Sequence, residues 1–377
     1  MSNIQLITSN QSTNTAASRQ WASRPSDERF TSLTALNEFC VAQRAASRAK
    51  VVSTKAIQAR ADVETDTIQI VNAATPDGPG LTPTHWSFGQ LASLAKAPAS
   101  YLRTLPAPLA ADCINLGMIR RDVEEVGLLM TRDADAGRVD LRAATGPNYG
   151  RIYNSTITSA LVDRFGDGVT GDWKVPGEFG RAVDVTKANT TLYASDRDCF
   201  IFLADETRKI TVPNRRDGKP GALSRGFMVW NSEVGNQTLG VAMFLFDYVC
   251  SNRIIWNQQD YREIRVRHTS GAPDRWIDVV QPQIAAMAQS SAQGIELMIA
   301  ASQQKKIDDV NAFLKSRQFS GAQIEGIRAT HAIEEGRPIE TLWDAQVAVT
   351  AFARGIEHQD ARVEMERAGG AILQLAA

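Results

Sequence analysis

The amino-acid sequence predicts an α+β fold, in which an antiparallel-sheet-containing body is followed by an all-helical C-terminal region. Two patterns indicate this class. Strand-like stretches recur between residues 50 and 255, and residues 226–255 are rich in β-branched and aromatic side chains, as in paired strands. After Trp276 the apolar residues instead recur every three or four positions, as on one face of a helix.

The predicted organisation has three parts: a flexible N-terminal arm (1–29), an α+β domain (30–275) and a helical C-terminal region (276–377). The arm contains 15 Ser, Thr, Asn or Gln residues, and its few apolar residues cannot offset the entropy lost on ordering a chain. Trp21 is the exception. We expect it to dock on the body of the protein, and stacking on a ligand is the alternative.

The elements of the body follow from the spacing of apolar residues and from clusters of glycine and proline. Apolar residues three or four positions apart predict helices, alternating ones predict strands, and Gly/Pro clusters predict loops. The predicted elements are a helix over 31–48, strands over 50–60 and 67–71, a loop over 75–83, helices from Trp86 and in short pieces over 98–115, strands over 128–131, 139–143 and 199–203, and loops over 166–180 and 213–221.

The C-terminal region has clear helix signals. An apolar stripe over residues 280–298 predicts one long helix. Ser320 and Gln323 have the spacing of a capping box, which marks a helix start. Pro338 and Gly355 bracket a further helix, since proline favours the beginning of a helix and glycine its end.

Composition excludes several classes of protein. The chain has 41 Lys+Arg against 42 Asp+Glu, so nucleic-acid binding could come only from a local basic patch. The four cysteines stand apart, without zinc-ribbon spacing, which favours reduced thiols. The four histidines are dispersed, and the phosphate-loop, dinucleotide, metalloprotease and nucleophile-elbow motifs are missing. We therefore predict no metal site and no cofactor.

Neither an export signal nor a membrane span is predicted. The first 20 residues lack the basic start and apolar stretch of a signal peptide. The most hydrophobic run, 239–250, contains Asp247 and is about eight residues too short to cross a bilayer. We expect a cytoplasmic protein with no membrane contact.

A basic segment lies between Thr207 and Arg275, with 11 Lys+Arg against 6 Asp+Glu and several aromatic residues among them. Cations that neutralise phosphates beside rings that stack bases are the two ingredients of single-strand binding. The alternative is a core in which the rings are buried and the arginines are solvated. The nucleic-acid-binding candidates are Arg215, Arg216, Lys219, Arg225, Arg253, Arg265, Arg267 and Trp256.

Two parts of this segment carry more specific predictions. Arg265 and Arg267 alternate with apolar residues, so a strand there would place both guanidinium groups on one face. The loop 214–221 carries cations beside glycine, and it is either a mobile finger that closes over a nucleic-acid backbone or a solvated hairpin tip.

Polar residues interrupt apolar runs at two places, and burying such groups is costly unless they are paired. In the catalytic interpretation, Glu233 and His268 serve as acid and base, Cys250 is a nucleophile, and Tyr149 is a further candidate. In the structural interpretation, Glu233 pairs with an arginine and Cys250 is a small buried side chain. The candidate partners of Glu233 are Arg253, Arg265 and His268, and the predicted polar network contains Asn231, Ser232 and Asn252.

Several stretches together resemble the phage/plasmid-like proteins grouped as "domain of unknown function 932". One departure is Arg253, where many members of that family carry histidine. The resemblance implies a setting among recombination, single-strand binding and antirestriction genes. The stretches are W-A-S-R-P-S-D-E-R-F (21–30), W-S-F-G-Q-L-A (86–92), A-P-A-S-Y-L-R-T-L-P (97–106), L-R-A-A-T-G-P-N-Y-G-R-I (141–152), A-S-D-R-D (194–198), N-S-E-V-G (231–235), V-C-S-N (249–252) and R-H-T (267–269).

Three functional hypotheses follow. The first is a mobile-element protein that binds nucleic acid, most simply single-stranded DNA, in recombination, annealing or DNA protection. The second is an enzyme that acts on a nucleotide or protein substrate through Glu233, His268 and Cys250. The third is an oligomeric counter-defence interaction module, in which residues 320–377, with 9 acidic and 5 basic residues, form a subunit interface or shield the basic segment.

Overall fold

The computed structural model describes residues 24–176, 185–213, 215, 219–247, 252–256, 263–290, 293–356 and 359–376, with the backbone alone at 252–256 and 359–360. Within these residues the predicted α+β class is confirmed. Trp21 lies outside them.

Fourteen strands of the described residues build two sheets. In chain order they are β1 (Arg29–Phe30), β2 (Ser47–Ser53), β3 (Ile57–Asp62), β4 (Thr67–Asn72), β5 (Leu81–Pro83), β6 (Glu125–Asp133), β7 (Arg138–Thr145), β8 (Trp173–Lys174), β9 (Leu192–Ala194), β10 (Cys199–Val212), β11 (Gly221–Asn231), β12 (Leu239–Asp247), β13 (Asn252–Trp256) and β14 (Ile264–Val266).

The larger sheet, called the central sheet, has the order β1-β9-β10-β11-β12-β13, with β14 also on β12 and β8 also on β10. Its described pairs are antiparallel. The second sheet has the order β2-β6-β7-β5-β4-β3, and its pairs are antiparallel except for the parallel contact of β5 with β7.

Helices precede, separate and follow the strands. In chain order, those of the described residues are α1 (Leu33–Ala45), α2 (His85–Leu94), α3 (Ala99–Leu102), α4 (Ala107–Arg120), α5 (Asn154–Phe165), α6 (Ala272–Arg275), α7 (Gln281–Gln289), α8 (Gln293–Gln304), α9 (Val310–Lys315), α10 (Gly321–Glu335), α11 (Leu342–Ala353) and α12 (Gln359–Leu373).

The central sheet is buried on both faces, which explains why β11 and β12 read as nearly continuous apolar runs without alternation. One face packs against α1, α5, α7, α8 and α11. The other carries an aromatic layer, including Phe202, Trp230 and Phe244, beside Val363 of α12. Gly240 leaves room for the Trp230 indole, which a side chain at that position would hit.

The helical C-terminal region shares its core with the central sheet. Trp276, Ile284 and Trp343 belong to the same buried apolar cluster as Ile201 and Val241 of the sheet. The predicted boundary at 275/276 therefore does not separate two hydrophobic cores.

Residues 24–29 of the predicted flexible arm belong to the folded body. Arg24 is buried and ion-paired with Asp198, and Arg29 pairs with Tyr193 between β1 and β9.

The predicted long helix over 280–298 is wrong. A π-helical turn over Trp276–Val280 leads into α7, which ends at Gln289, and Ser290 has an extended backbone. The apolar stripe continues into α8 because both helices pack on the central sheet. The capping box of Ser320 and Gln323 is confirmed at the start of α10.

No helix among the described residues has the length and apolar character needed to cross a bilayer.

Candidate nucleic-acid interface

The outer edge of the central sheet is formed by β13 and β14, which pair in succession with the same side of β12. β13 pairs Asn252 with Asp247 and Trp256 with Met243, and β14 then continues the edge to Val266 opposite Leu239. The eight residue steps from Asp247 to Leu239 correspond to about 27 Å of edge. Along this edge, called the β13–β14 edge, the backbone positions of Arg253, Trp256 and Arg265 follow one another.

The predicted alternation around Arg265 and Arg267 is confirmed, since Val266 between them is buried and both arginines are exposed. The Arg265 side chain is 57% exposed and ion-pairs with Glu263. Its guanidinium carbon lies 5.9 Å from the centre of the Trp230 ring.

Helix α12 approaches the same place. Arg367 places its guanidinium carbon 5.2 Å from the centre of the Trp230 ring and its Nε 3.2 Å from Glu263 Oε2. Glu263 is thus shared by Arg265 and Arg367. Arg367 also ion-pairs with Glu364, so these two guanidinium groups meet two carboxylates. The positive excess at this end of the β13–β14 edge therefore comes from the neighbouring exposed Arg267.

Lys219 is exposed at the opposite end of β11, in the connection between β10 and β11, where its carbonyl oxygen accepts a hydrogen bond of 2.8 Å from the Arg215 amide. Arg216 lies outside the described residues, and the side chains of Arg253 and Trp256 do as well.

Two of the predicted nucleic-acid contacts are corrected by burial. Arg215 is enclosed, with Nη1 2.5 Å from Asp247 Oδ2 and Nη2 2.7 Å from Glu335 Oε1. Arg225 is also buried; it donates to the carbonyl oxygen of Ser290 and lies 3.8 Å from Asp205. Neither guanidinium group reaches solvent in this structure, so neither can contact a phosphate.

The loop between β11 and β12 buries Glu233, which is 3% exposed. Its Oε2 accepts from Arg142 Nη1 at 2.8 Å, and its Oε1 accepts from the backbone amide of Asn154 at 2.8 Å. Asn154 begins α5, where a carboxylate is favoured by the free amides and the helix dipole. The structural interpretation of Glu233 is therefore confirmed, with a partner other than Arg253, Arg265 or His268.

A β-bulge explains why the partner is Arg142. The register between β6 and β7 pairs Leu129 with Ala143 and Met130 with Leu141, which leaves Arg142 without an opposite residue. This extra residue turns the guanidinium group toward Glu233 on the central sheet. Local alternation within the strand predicts no such contact.

The rest of the loop forms the predicted polar network. Asn231 Nδ2 donates to Ile152 O at 2.9 Å and to Asn154 Oδ1 at 2.7 Å, and Ser232 Oγ donates to Arg197 O at 2.7 Å. The side chain of Asn252 lies outside the described residues.

The loop also ties the two sheets together. The carbonyl oxygen of Val234 accepts from Trp86 Nε1 at 3.0 Å and from Gln90 Nε2 at 2.8 Å. Both donors lie on α2, which packs on the second sheet.

Tyr149 and His268 come together, as the catalytic interpretation requires, but the Glu233 carboxylate oxygens bond Arg142 and Asn154 instead of either ring. Their rings stack with centres 4.8 Å apart. The Tyr149 hydroxyl donates to Ser232 O at 2.8 Å, and His268 Nδ1 lies 3.0 Å from the Gly150 carbonyl oxygen. A carbonyl only accepts, so the proton of neutral His268 is on Nδ1.

Burial explains the titration behaviour of this pair. It lowers the pKa of His268 and raises the pKa of Tyr149, in each case as the largest effect. Both groups are therefore neutral at pH 7. Both Glu233 oxygens are engaged by Arg142 and Asn154, so the carboxylate is held in an ion pair and not against His268. Cys250, the proposed nucleophile, lies outside the described residues.

Within the part of the chain that the structure describes, no three His, Cys, Asp or Glu side chains converge as a metal site. Comparisons of the chain with protein-family models, with curated proteins and with solved structures find no match. The geometry described above therefore carries the functional argument.

Proposed function

We propose that this protein binds single-stranded nucleic acid, most simply DNA, along the β13–β14 edge, without a cofactor. The observation that carries the proposal is the exposure of Arg265 and Arg267 at the β14 end of this edge, along which the backbone of Arg253 and Trp256 continues. Cations that follow a phosphate backbone and a ring on which a base can stack are what sequence-tolerant single-strand binding needs.

The resemblance to phage/plasmid-like proteins supplies the setting of this proposal. It suggests a cytoplasmic protein of a mobile element that acts in recombination, annealing or DNA protection. Self-association into an oligomer fits such a role, because neighbouring subunits would extend a short edge into a longer path for the strand.

One observation weighs against the enzymatic alternative, since the side chain assigned as its acid or base is enclosed. A general acid or base must be able to exchange a proton with a substrate, whereas Glu233 is buried and holds Arg142 and the start of α5. The proposal is therefore a binding function.

The test is equilibrium binding of fluorescent oligonucleotides of about 20 nucleotides, which exceeds the site size of most single-strand modules. Single-stranded DNA, single-stranded RNA and duplex DNA are compared at several salt concentrations. The informative variant is Arg265→Ala/Arg267→Ala. Its matched control is Arg48→Ala/Lys50→Ala, which removes two exposed cations with the same spacing from β2 at the edge of the second sheet.

We expect the Arg265/Arg267 variant to bind about tenfold more weakly, with a salt slope smaller by about 1.4, since each phosphate contact on a single strand contributes about 0.7. The control is expected to match wild type. Failure of wild type to bind at about 50 mM salt, or an equal loss in both variants, would overturn the proposal.

A further inference from the structure

A cavity of about 460 Å³ opens beside α2 on the second sheet, and none of its lining residues belongs to the β13–β14 edge. The side chains of His85, Trp86, Gln90 and Arg103 line it, together with Gly89. Two separate stretches of sequence, W-S-F-G-Q-L-A and A-P-A-S-Y-L-R-T-L-P, meet at this cavity, because α2 and α3 pack against each other. The volume falls in the range of small-molecule sites.

Arg103 is the charged group of the cavity. Its Nη2 donates to the His85 carbonyl oxygen at 2.8 Å, and its guanidinium carbon lies 5.0 Å from the centre of the Phe88 ring. No carboxylate of the described residues lies within ion-pair distance of it, and Nε has no hydrogen-bond partner there. A half-buried arginine without a counter-ion is unusual, because a desolvated charge is costly unless it is paired.

The electrostatic surroundings of the cavity are positive. Burial lowers the pKa of Arg103 to about 10. Burial, and then the charges of Arg103 and Arg197, lower the pKa of His85 to about 3. His85 is therefore neutral at pH 7 and adds no charge of its own. Arg103 thus faces the cavity as a cation that lacks an anion.

The remaining walls suit a flat ring. The Trp86 indole is held by its hydrogen bond to Val234 and by packing against the cluster of Leu129, Ala143 and Val234, so it is a rigid apolar surface. Gly89 keeps the space in front of Arg103 open, since a Cβ there would meet only Arg103 Nη2, at 3.8 Å.

We propose that this cavity binds a nucleoside monophosphate group, with the phosphate on Arg103 and the base against Trp86. An arginine fork matches phosphate oxygens, and aromatic side chains stack bases. The same chemistry is offered by a free mononucleotide and by the phosphorylated end of a nucleic-acid strand. The site shares no lining residue with the β13–β14 edge, so the proposal does not depend on that edge.

The test is calorimetric titration of the full chain with nucleoside monophosphates, with inorganic phosphate and with unphosphorylated nucleosides. Arg103→Met removes the charge and keeps the apolar stem on Phe88. Gly89→Leu fills the cavity and keeps the charge, at a helix position where a side chain meets ordinary contacts. Arg60→Met is the matched control, because Arg60 also donates to backbone carbonyls, of Pro76 and Gly78, without lining the cavity.

We expect wild type and Arg60→Met to bind a nucleoside monophosphate equally and more tightly than phosphate or nucleoside alone. Arg103→Met should weaken binding at least tenfold, and Gly89→Leu should abolish it. Thermal unfolding of each variant confirms that it is folded. Absence of binding to wild type, unchanged binding in both cavity variants, or equal affinity for inorganic phosphate would overturn the proposal.

Competition separates the two sources of the ligand. If a strand end is the ligand, an oligonucleotide with a 5′ phosphate displaces the mononucleotide and the unphosphorylated one does not. If a free mononucleotide is the ligand, neither displaces it. The Arg265→Ala/Arg267→Ala variant should bind mononucleotides as wild type does, so failure at one site is distinguishable from failure at the other.

Discussion

Arginine side chains are buried at one end of the central sheet and exposed at the other. At the hairpin end, Arg215 is buried between Asp247 of β12 and Glu335 of α10. At the other end, Arg265 and Arg267 remain exposed, and one carboxylate, Glu263, is divided between Arg265 and Arg367. All these arginines except Arg367 belong to one basic segment.

The comparison shows how the balanced charge of the chain is distributed in space. The acidic C-terminal region neutralises the basic segment at the hairpin end through Glu335, whereas at the β14 end the same region contributes Arg367 together with its own partner Glu364. The third hypothesis included shielding of the basic segment by the C-terminal region. That shielding occurs at Arg215 and is incomplete at Arg265.

The largest difference between the two ends is expected when the stability of Arg215→Ala is compared with that of Arg265→Ala. Removing Arg215 takes a buried cation away from two buried carboxylates, so we expect a loss of about 3–5 kcal/mol in the free energy of unfolding. Removing Arg265 should change it by less than about 1 kcal/mol, because an exposed ion pair contributes little. Urea unfolding of both variants measures the difference. Similar losses of stability would contradict the assignment of Arg215 as buried and Arg265 as exposed.

Glu233→Gln tests the structural role of the buried loop. The amide keeps the shape but leaves the buried Arg142 guanidinium without its counter-charge, so we expect a loss of about 2–3 kcal/mol. Urea unfolding measures it. Oligonucleotide affinity should stay unchanged under native conditions, and a variant as stable as wild type would contradict the structural role.

Glu263→Gln tests the β14 end of the central sheet, where the arginines are exposed. Freeing Arg265 and Arg367 from their shared carboxylate should tighten single-strand binding about threefold to tenfold and steepen its salt dependence. Glu38→Gln, an exposed glutamate on α1, is the control for net charge. The idea fails if both substitutions raise affinity equally.

Glu28→Gln gives the smallest expected effect and concerns a carboxyl group with a poorly placed cation. Burial raises the pKa of Glu28 to about 8, and the charge of Arg24, which lies 3.9 Å away and closer to Asp198, offsets this only in part. A raised pKa means that the folded state favours the protonated group. Its ionisation therefore costs stability progressively between pH 4.5 and about 8, and the cost is complete above that.

The Glu28→Gln variant should consequently melt at a higher temperature than wild type above pH 8, by about 2 °C or less, because only the segment around residues 24–30 has to detach. Below pH 4.5 the two proteins should coincide. Thermal unfolding between pH 4 and 9 measures the difference, and a pH-independent difference would falsify the burial of this carboxyl group.

The sequence predicted the parts of this protein that depend on near neighbours. Helix α1, most of the longer strands and the capping box of Ser320 follow from spacing within a few residues, and these are present. The short strands β5 and β8 lie instead in stretches predicted as loops, because each is defined by pairing with a distant strand. The single long helix over 280–298 was predicted wrongly because an apolar stripe reports which residues face the core, not whether the backbone between them is continuous.

The candidate functional residues show the same difference between features set by near neighbours and features set by distant contacts. The exposure of Arg265 and Arg267 followed from strand alternation. The partner of Glu233 did not, because Arg142 lies 91 residues away and reaches it through a β-bulge that shifts the register by one residue. The cavity at Arg103 has no local signal either, since its walls come from α2 and α3 together.

By itself, the sequence determined the α+β class, most elements and the existence of a basic segment beside an acidic one, because periodicity and composition are local properties. The tertiary structure alone decided which arginines are covered, since Arg215 meets Glu335 across 120 residues. A charge pair of this kind depends on how helices pack on a sheet, and the free energy of that packing is distributed over the whole core.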